Sequence, residues 1–174
     1  MKTLIKISVF LTLFFYNNLL YADNNIAYLD MDIIYNESVV GKLIINEVDK
    51  INKKNISNFK KIEESLKKEE QEISSQKNIL AKEEYEKKVI SFRKKVAQYK
   101  SDRSKSIDDL KKKRNKAIGT LSSSVNKVLA DYSVEKKISI IIPKKNIIIG
   151  KIELEITKDI LKLVDENIEK ISLN

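Results

Sequence analysis

The chain has 174 residues, 34 of them Lys or Arg and 25 Asp or Glu, with a net charge of +9 and no Cys or His. No disulfide framework is possible, a structural zinc site lacks its usual ligands, and general-base catalysis by histidine is excluded. The glycines Gly41, Gly119 and Gly150 stand too far apart for a phosphate-cradling loop, so no nucleotide, metal or other cofactor is expected.

In chain order, residues 1–22 read as a cleaved signal peptide. Lys2 and Lys6 form a basic n-region, Ile7 to Tyr16 an apolar h-region, and Leu20-Tyr21-Ala22 a small-residue cleavage site. The apolar run is short for a membrane span, and Asn17-Asn18 interrupts it. Removing Lys2 and Lys6 leaves 32 basic and 25 acidic residues, a net +7 on the single unit 23–174.

Asn25 to Asp30 alternates and is β-prone, so a strand is expected there. Met31 to Ser38 has a brief helical pattern, with Ser38 as a cap for the next helix. Between Gly41 and Gly119 lie 77 residues with no Gly or Pro and apolar residues every three or four positions, a helical stretch. Its first part carries heptad rows: Ile45, Asn52, Phe59, Leu66, Ile73, Leu80, and Val48, Asn55, Ile62, Glu69, Gln76. A second seam runs Val89, Phe92, Val96, Tyr99, Arg103, Ile107, Leu110, Arg114, Ile118, Leu121, Val125, Val128, Tyr132. The five-residue step from Leu80 to Tyr85 fits neither, which predicts a turn near 78–83 and an antiparallel hairpin arm over 42–118, roughly 50–55 Å long. Folding back brings Phe59 near Tyr99 or Arg103.

After Gly119 the helix is expected to run to about Ser133. Ile138 to Ile142 and Ile147 to Ile149 then read as two strands, isoleucine-rich as strands buried on both faces are, separated by a turn at Pro143. Thr157 is expected to cap a last helix, with Asp159 in its first turn. The fold class is therefore α+β. A β-rich body from 23–41 and 119–174 carries the helical arm. Three short apolar strands leave unpaired edges, so the sheets of several chains are expected to join, through Ile26, Tyr28, Leu29, Ile138, Ile140, Ile142, Ile147 and Ile149.

Charge divides the arm. Lys42 to Glu84 holds 10 basic and 9 acidic residues, whereas Tyr85 to Ile118 holds 13 and 4. The basic side chains Lys87, Lys88, Arg93, Lys94, Lys95, Lys100, Arg103, Lys105, Lys111, Lys112 and Arg114 form a collective candidate surface for acidic polypeptides, anionic lipid headgroups or lipopolysaccharide. The carboxylate pairs Glu63-Glu64, Glu69-Glu70, Glu83-Glu84 and Asp108-Asp109 are sequence neighbours about 100° apart on a helix, and read as solvated face rather than catalytic acid and base. No enzyme chemistry is indicated. Nucleic acid is not expected either, because aromatic residues are sparse in the basic stretch and the chain reads as exported. A structural or adaptor hairpin of a periplasmic or membrane complex is the alternative function.

The segments Ile26-Ala27-Tyr28-Leu29-Asp30-Met31, Asn36-Glu37-Ser38 and Gly41-Lys42 resemble the opening of the Skp/OmpH family of periplasmic chaperones. Glu155 to Lys162, after the isoleucine runs, resembles that family's closing segment, although Asp is usual where Glu155 stands. The resemblance implies a homotrimer with a small β-barrel body. Three helical tentacles would hold unfolded outer-membrane β-barrel proteins in the periplasm without ATP.

Overall fold

A computed structural model describes residues 25–173; the signal-peptide reading of 1–22 falls outside them. The elements are β1 (Asn25–Leu29), α1 (Met31–Glu37), α2 (Val39–Ser75), α3 (Lys82–Glu135), β2 (Ile138–Pro143), two short 3-10 turns (Lys144–Asn146 and Ile152–Leu154) and α4 (Thr157–Asn167).

Local chemistry sets the helix boundaries at the root of the arm. Asp30 caps α1, its carboxylate accepting from the backbone N–H of Asp32 at 3.0 Å and of Ile33 at 3.3 Å. The chain bends at Ser38, which is fully buried, and the Ser38 hydroxyl accepts from Gly41 N–H at 3.1 Å to start α2. Gly41 is required by close approach. A Cβ there would lie 2.1 Å from the Tyr35 carbonyl oxygen. Asp165 of α4 accepts from Val39 N–H at 2.7 Å and ties the last helix to the same corner.

Helix α2 has 37 residues and α3 has 54, about 55 and 80 Å at 1.5 Å per residue. Residues 76–81 turn the chain between them. Glu83 and Glu84 lie in the first turn of α3, where carboxylates favour the positive helix end. The two helices run antiparallel. Gln76 meets Lys88, Glu69 meets Lys95, and Asn55 meets Ser106, so sequence separation grows away from the turn.

The return of α3 brings β2 beside β1 as a parallel pair, with Ile26 opposite Ile140 and Tyr28 opposite Ile142. Three expectations are corrected here. First, Ile147–Ile149 is not a strand. The second edge of β1 is occupied by Glu155, which bridges Tyr28, and Ile156 N–H donates to the Tyr28 carbonyl at 2.9 Å. The 147–150 segment instead crosses the Tyr28 ring, where a Cβ on Gly150 would approach Cε1 to 2.9 Å. Second, β2 is not buried on both faces, since Ser139 and Ile140 are exposed. The flanks of the arm are accordingly more helical than β-rich, with one two-stranded sheet among the described residues. Third, Thr157 does not cap its own helix. Its hydroxyl accepts from Asp30 N–H at 2.9 Å and donates to Glu155 at 3.1 Å, joining the end of β1 to the start of α4.

The core sits at the arm's root. Ile34 of α1, Val40 and Ile44 of α2, Ala117, Leu121 and Val125 of α3, and Ile160 and Val164 of α4 are almost wholly removed from water. Each such aliphatic side chain contributes about 1.5–3 kcal/mol relative to exposure. Tyr132 closes the far end, its hydroxyl donating to Asp159 at 2.8 Å. Burial and this bond to a carboxylate push the phenol up to about 12. Lys144 and Glu155 pair at 2.8 Å beside the sheet, and the Lys144 bond holds the Glu155 carboxyl below its usual range.

Candidate functional site on the helical arm

Beyond Ala117 and Ile44 the pairing of α2 with α3 thins. Toward the tip, the inward residues of α3 are Leu110, Ser106, Tyr99, Val96, Phe92, Val89 and Tyr85, all only partly buried. Those of α2 are Val48, Ile51, Asn55, Phe59, Leu66, Glu69 and Ile73, of which Ile73 alone is buried. Phe59 and Tyr99 meet as the sequence pattern predicts, edge to face with ring centroids 6.0 Å apart. Such a contact adds about 0.5–1.5 kcal/mol beyond burial.

The inward positions nevertheless depart from the expected seams. Ile44 and Ile51 take the places expected of Ile45 and Asn52. On α3, Arg103, Ile107 and Arg114 face water, and Ser106 and Ala117 point inward. The reason is period. The expected seam stepped at about 3.6, as in a straight helix, whereas Tyr99, Ser106 and Leu110 keep the 3.5 step of helices that wind around each other. Helix α2 breaks that step once. From Asn55 to Phe59 it advances four residues after a previous step of four from Ile51, an inserted stutter that unwinds the pair locally.

A cleft opens at that level. Asn55 donates to the Ser106 hydroxyl at 2.9 Å, a polar bridge inside the seam. On one side lies a cleft of about 510 Å³ walled by Ile56, Phe59, Tyr99, Ile107 and Leu110, with Lys60, Glu63 and Arg103 at its rim. On the other side, about 350 Å³ is lined by Asp102, Lys105, Asp109 and Lys113 around the same bridge. Of the polar seam positions, Asn55, Glu69 and Gln76 are used: Glu69 binds Lys95 at 2.7 Å and Gln76 accepts from Lys88 at 2.6 Å. Asn52 is exposed.

Every basic residue singled out on α3, from Lys87 to Arg114, is exposed. Among the described residues, Lys95 pairs with Glu69 and Lys112 lies 4.0 Å from Asp109, while Lys87, Arg93, Lys94, Lys100, Arg103, Lys105, Lys111 and Arg114 have no carboxylate partner. They are not gathered into one pocket but distributed along the arm, on several faces of α3. The carboxylate pairs lie on the same helices, and no buried side-chain N or O lacks a partner among the described residues. Nor is there a cluster of acidic side chains able to hold a metal among them. No described helix is long and apolar enough to cross a membrane.

Comparison with known proteins agrees with this architecture. The family of OmpH-like outer membrane proteins matches residues 25–164. The chain belongs to the OmpH-like family. Its fold is similar to the crystal structure of a proposed OmpH-like outer membrane chaperone from Caulobacter crescentus CB15, with a TM-score of 0.79 at 14% identity, over 85% of this chain and 88% of that one. No curated protein matches significantly.

In this OmpH-like chain the residues expected at subunit contacts fall into two groups. Tyr28 and Leu29 are buried within the chain, and Ile138, Ile142 and Ile147 are partly so. Ile26, Ile140 and Ile149 are exposed, and they are joined by Ile148 of the same isoleucine run and by Ile152 and Leu154, which the sequence pattern did not single out. Ile148 and Ile149 lie in an unbroken isoleucine run with no helical period, whereas Ile152 and Leu154 alternate with Lys151, Glu153 and Glu155.

Proposed function

We propose that this OmpH-like chain is an ATP-independent holdase of the periplasm. Three copies join through their sheet edges and hold unfolded outer-membrane β-barrel proteins between their arms, preventing aggregation until membrane insertion. The observation that carries the reading is the arm itself. Its main apolar core lies at the root, and beyond it a strongly basic helix projects with most of its cations lacking a carboxylate partner. Such a surface attracts acidic unfolded chains over the screening distance of about 8–10 Å and offers many weak contacts. Family membership and the fold likeness support the same reading.

Assembly is supported by the free side of β2 and by exposed Ile140, Ile148 and Ile149 nearby, an apolar set that a lone chain would present to water. Three tethered arms raise the effective concentration of weak sites around one client. Anionic lipid or lipopolysaccharide is a further ligand of the same cations.

The test is aggregation of a urea-diluted outer-membrane barrel protein. With one trimer per client and no nucleotide, scattering is expected to stay at baseline, and added salt to weaken the protection. Precipitation at the rate of the buffer control removes the reading. The solution mass should be that of three chains, and a monomer at micromolar concentration removes the assembly.

A further inference from the structure

We propose that the cleft beside Asn55 and Ser106 is a receptor for one large apolar side chain flanked by carboxylates, the point on the arm where an extended acidic client segment is gripped. The proposal rests on the chaperone reading and gives it a location. The cleft is built by register. The stutter in α2 between Asn55 and Phe59 meets an unbroken 3.5 step in α3, so the helices cannot close over that level. The Asn55–Ser106 bond of 2.9 Å fills the seam where two aliphatic side chains would otherwise meet.

The two faces of the arm differ at this height. On the cleft side Ile56 and Ile107 are each 60% exposed, one from each helix, and Phe59, Tyr99 and Leu110 form the wall between them. On the opposite side Asp102, Lys105, Asp109 and Lys113 alternate in sign around the bridge. An apolar side chain is therefore favoured on one face only.

The rim sets the charge of the occupant. Tyr99 donates to Glu63 at 3.3 Å, and the Arg103 guanidinium donates to the Tyr99 oxygen at 3.4 Å, so the single rim carboxylate is already engaged. Lys60 and Arg103 have no carboxylate partner among the described residues. Two cations without a carboxylate partner, beside an apolar-walled cleft of about 510 Å³, fit an aromatic or branched side chain next to Asp or Glu. A second copy of the arm fits less well, because it would bring Lys60 and Arg103 against their own kind.

The test uses the purified chain with two fluorescent peptides of equal length, one with Phe flanked by Asp and Glu, the other with the same Phe flanked by Lys. The acidic peptide should bind the wild type more tightly. Ile56→Ser with Ile107→Ser should weaken it about tenfold, as expected for losing two partly buried isoleucine contacts. The matched pair Ile62→Ser with Ile90→Ser, which alters exposed isoleucines elsewhere on the arm, should change it less than about twofold. Lys60→Gln with Arg103→Gln should erase the preference for the acidic peptide, a readout that survives any folding defect in the isoleucine double variant. Equal loss in both pairs, no loss, or no preference for acid overturns the cleft. A changed solution mass with unchanged peptide binding makes it a contact between copies and also overturns it. The chaperone reading fails separately. Peptide binding without protection of a barrel protein leaves the cleft and removes the holdase. Protection with the wild-type peptide affinity in Ile56→Ser/Ile107→Ser does the reverse.

Discussion

The same two helices are packed in two ways along their length. At the root, α2 and α3 present Ile44, Leu121 and Val125 to α1 and α4, and these side chains are almost wholly buried. Along the arm they have only each other, and their inward residues, Ile73 excepted, stay partly exposed. A helix pair can bury one stripe of each helix, whereas a helix meeting three neighbours buries most of its apolar surface. Stability is therefore concentrated in the body, and the arm is left with apolar and charged groups that are not committed to the fold. That is the distribution a binding arm requires.

The largest effect that sharpens this contrast is a cavity. Leu121→Ala should cost about 2–5 kcal/mol, because a fully buried site among four helices cannot collapse. Leu66→Ala, the same change in the arm, should cost about 1 kcal/mol, since its side chain is already partly in water. Urea unfolding followed by helix signal measures both. Equal losses would mean that the arm has a core of its own.

A second contrast separates two glycines. Gly41→Ala should destabilise by about 1–3 kcal/mol, because the new methyl group meets the backbone oxygen of Tyr35 at 2.1 Å and α1 must shift. Gly119→Ala has open space around it inside α3 and should stabilise by about 0.5–1 kcal/mol through helix propensity. Thermal unfolding of the two variants should move in opposite directions. A loss at Gly119 would point to a bend in α3 that the glycine permits.

The contrast also explains what could be read from the sequence. Two long helices and the meeting of Phe59 with Tyr99 were legible, because apolar spacing and a break in phase are local properties. The α+β class was legible from the isoleucine runs. The partner of each strand was not. β1 and β2 are separated by the whole arm, and the second edge of β1 is taken by Glu155, while Ile147–Ile149, expected as a strand, passes the Tyr28 ring instead. The arm's cations were legible as a charge excess, but the cleft was not. It depends on Ser106 rather than Ile107 facing inward, and one residue of register separates a 3.6 from a 3.5 step. Thr157 looked like a cap because its residue type suits one, yet Asp30 N–H, at the end of β1, competes for its hydroxyl.

The smallest effect tests whether the body's far end is held by the buried phenol of Tyr132. Tyr132 donates to Asp159 at 2.8 Å, and Asp159 is itself exposed, so water can replace the bond when it is lost. Tyr132→Phe should therefore cost about 1 kcal/mol at neutral pH. The pH dependence carries more information than the magnitude. Below pH 10 the phenol is protonated in both the folded and the unfolded chain, and its stabilisation is fully present. As the pH rises from 10 the unfolded chain ionises first. The folded phenol, pushed up to about 12 by burial and by Asp159, stays protonated, so stability falls across this window and the loss is complete above it. In Tyr132→Phe that part of the alkaline decline should be missing. Urea midpoints at pH 7, 10 and 11.5 for both proteins read it directly. Parallel declines would mean that Tyr132 is solvated and that α4 is held to α3 by Leu121, Val125, Ile160 and Val164 without its help.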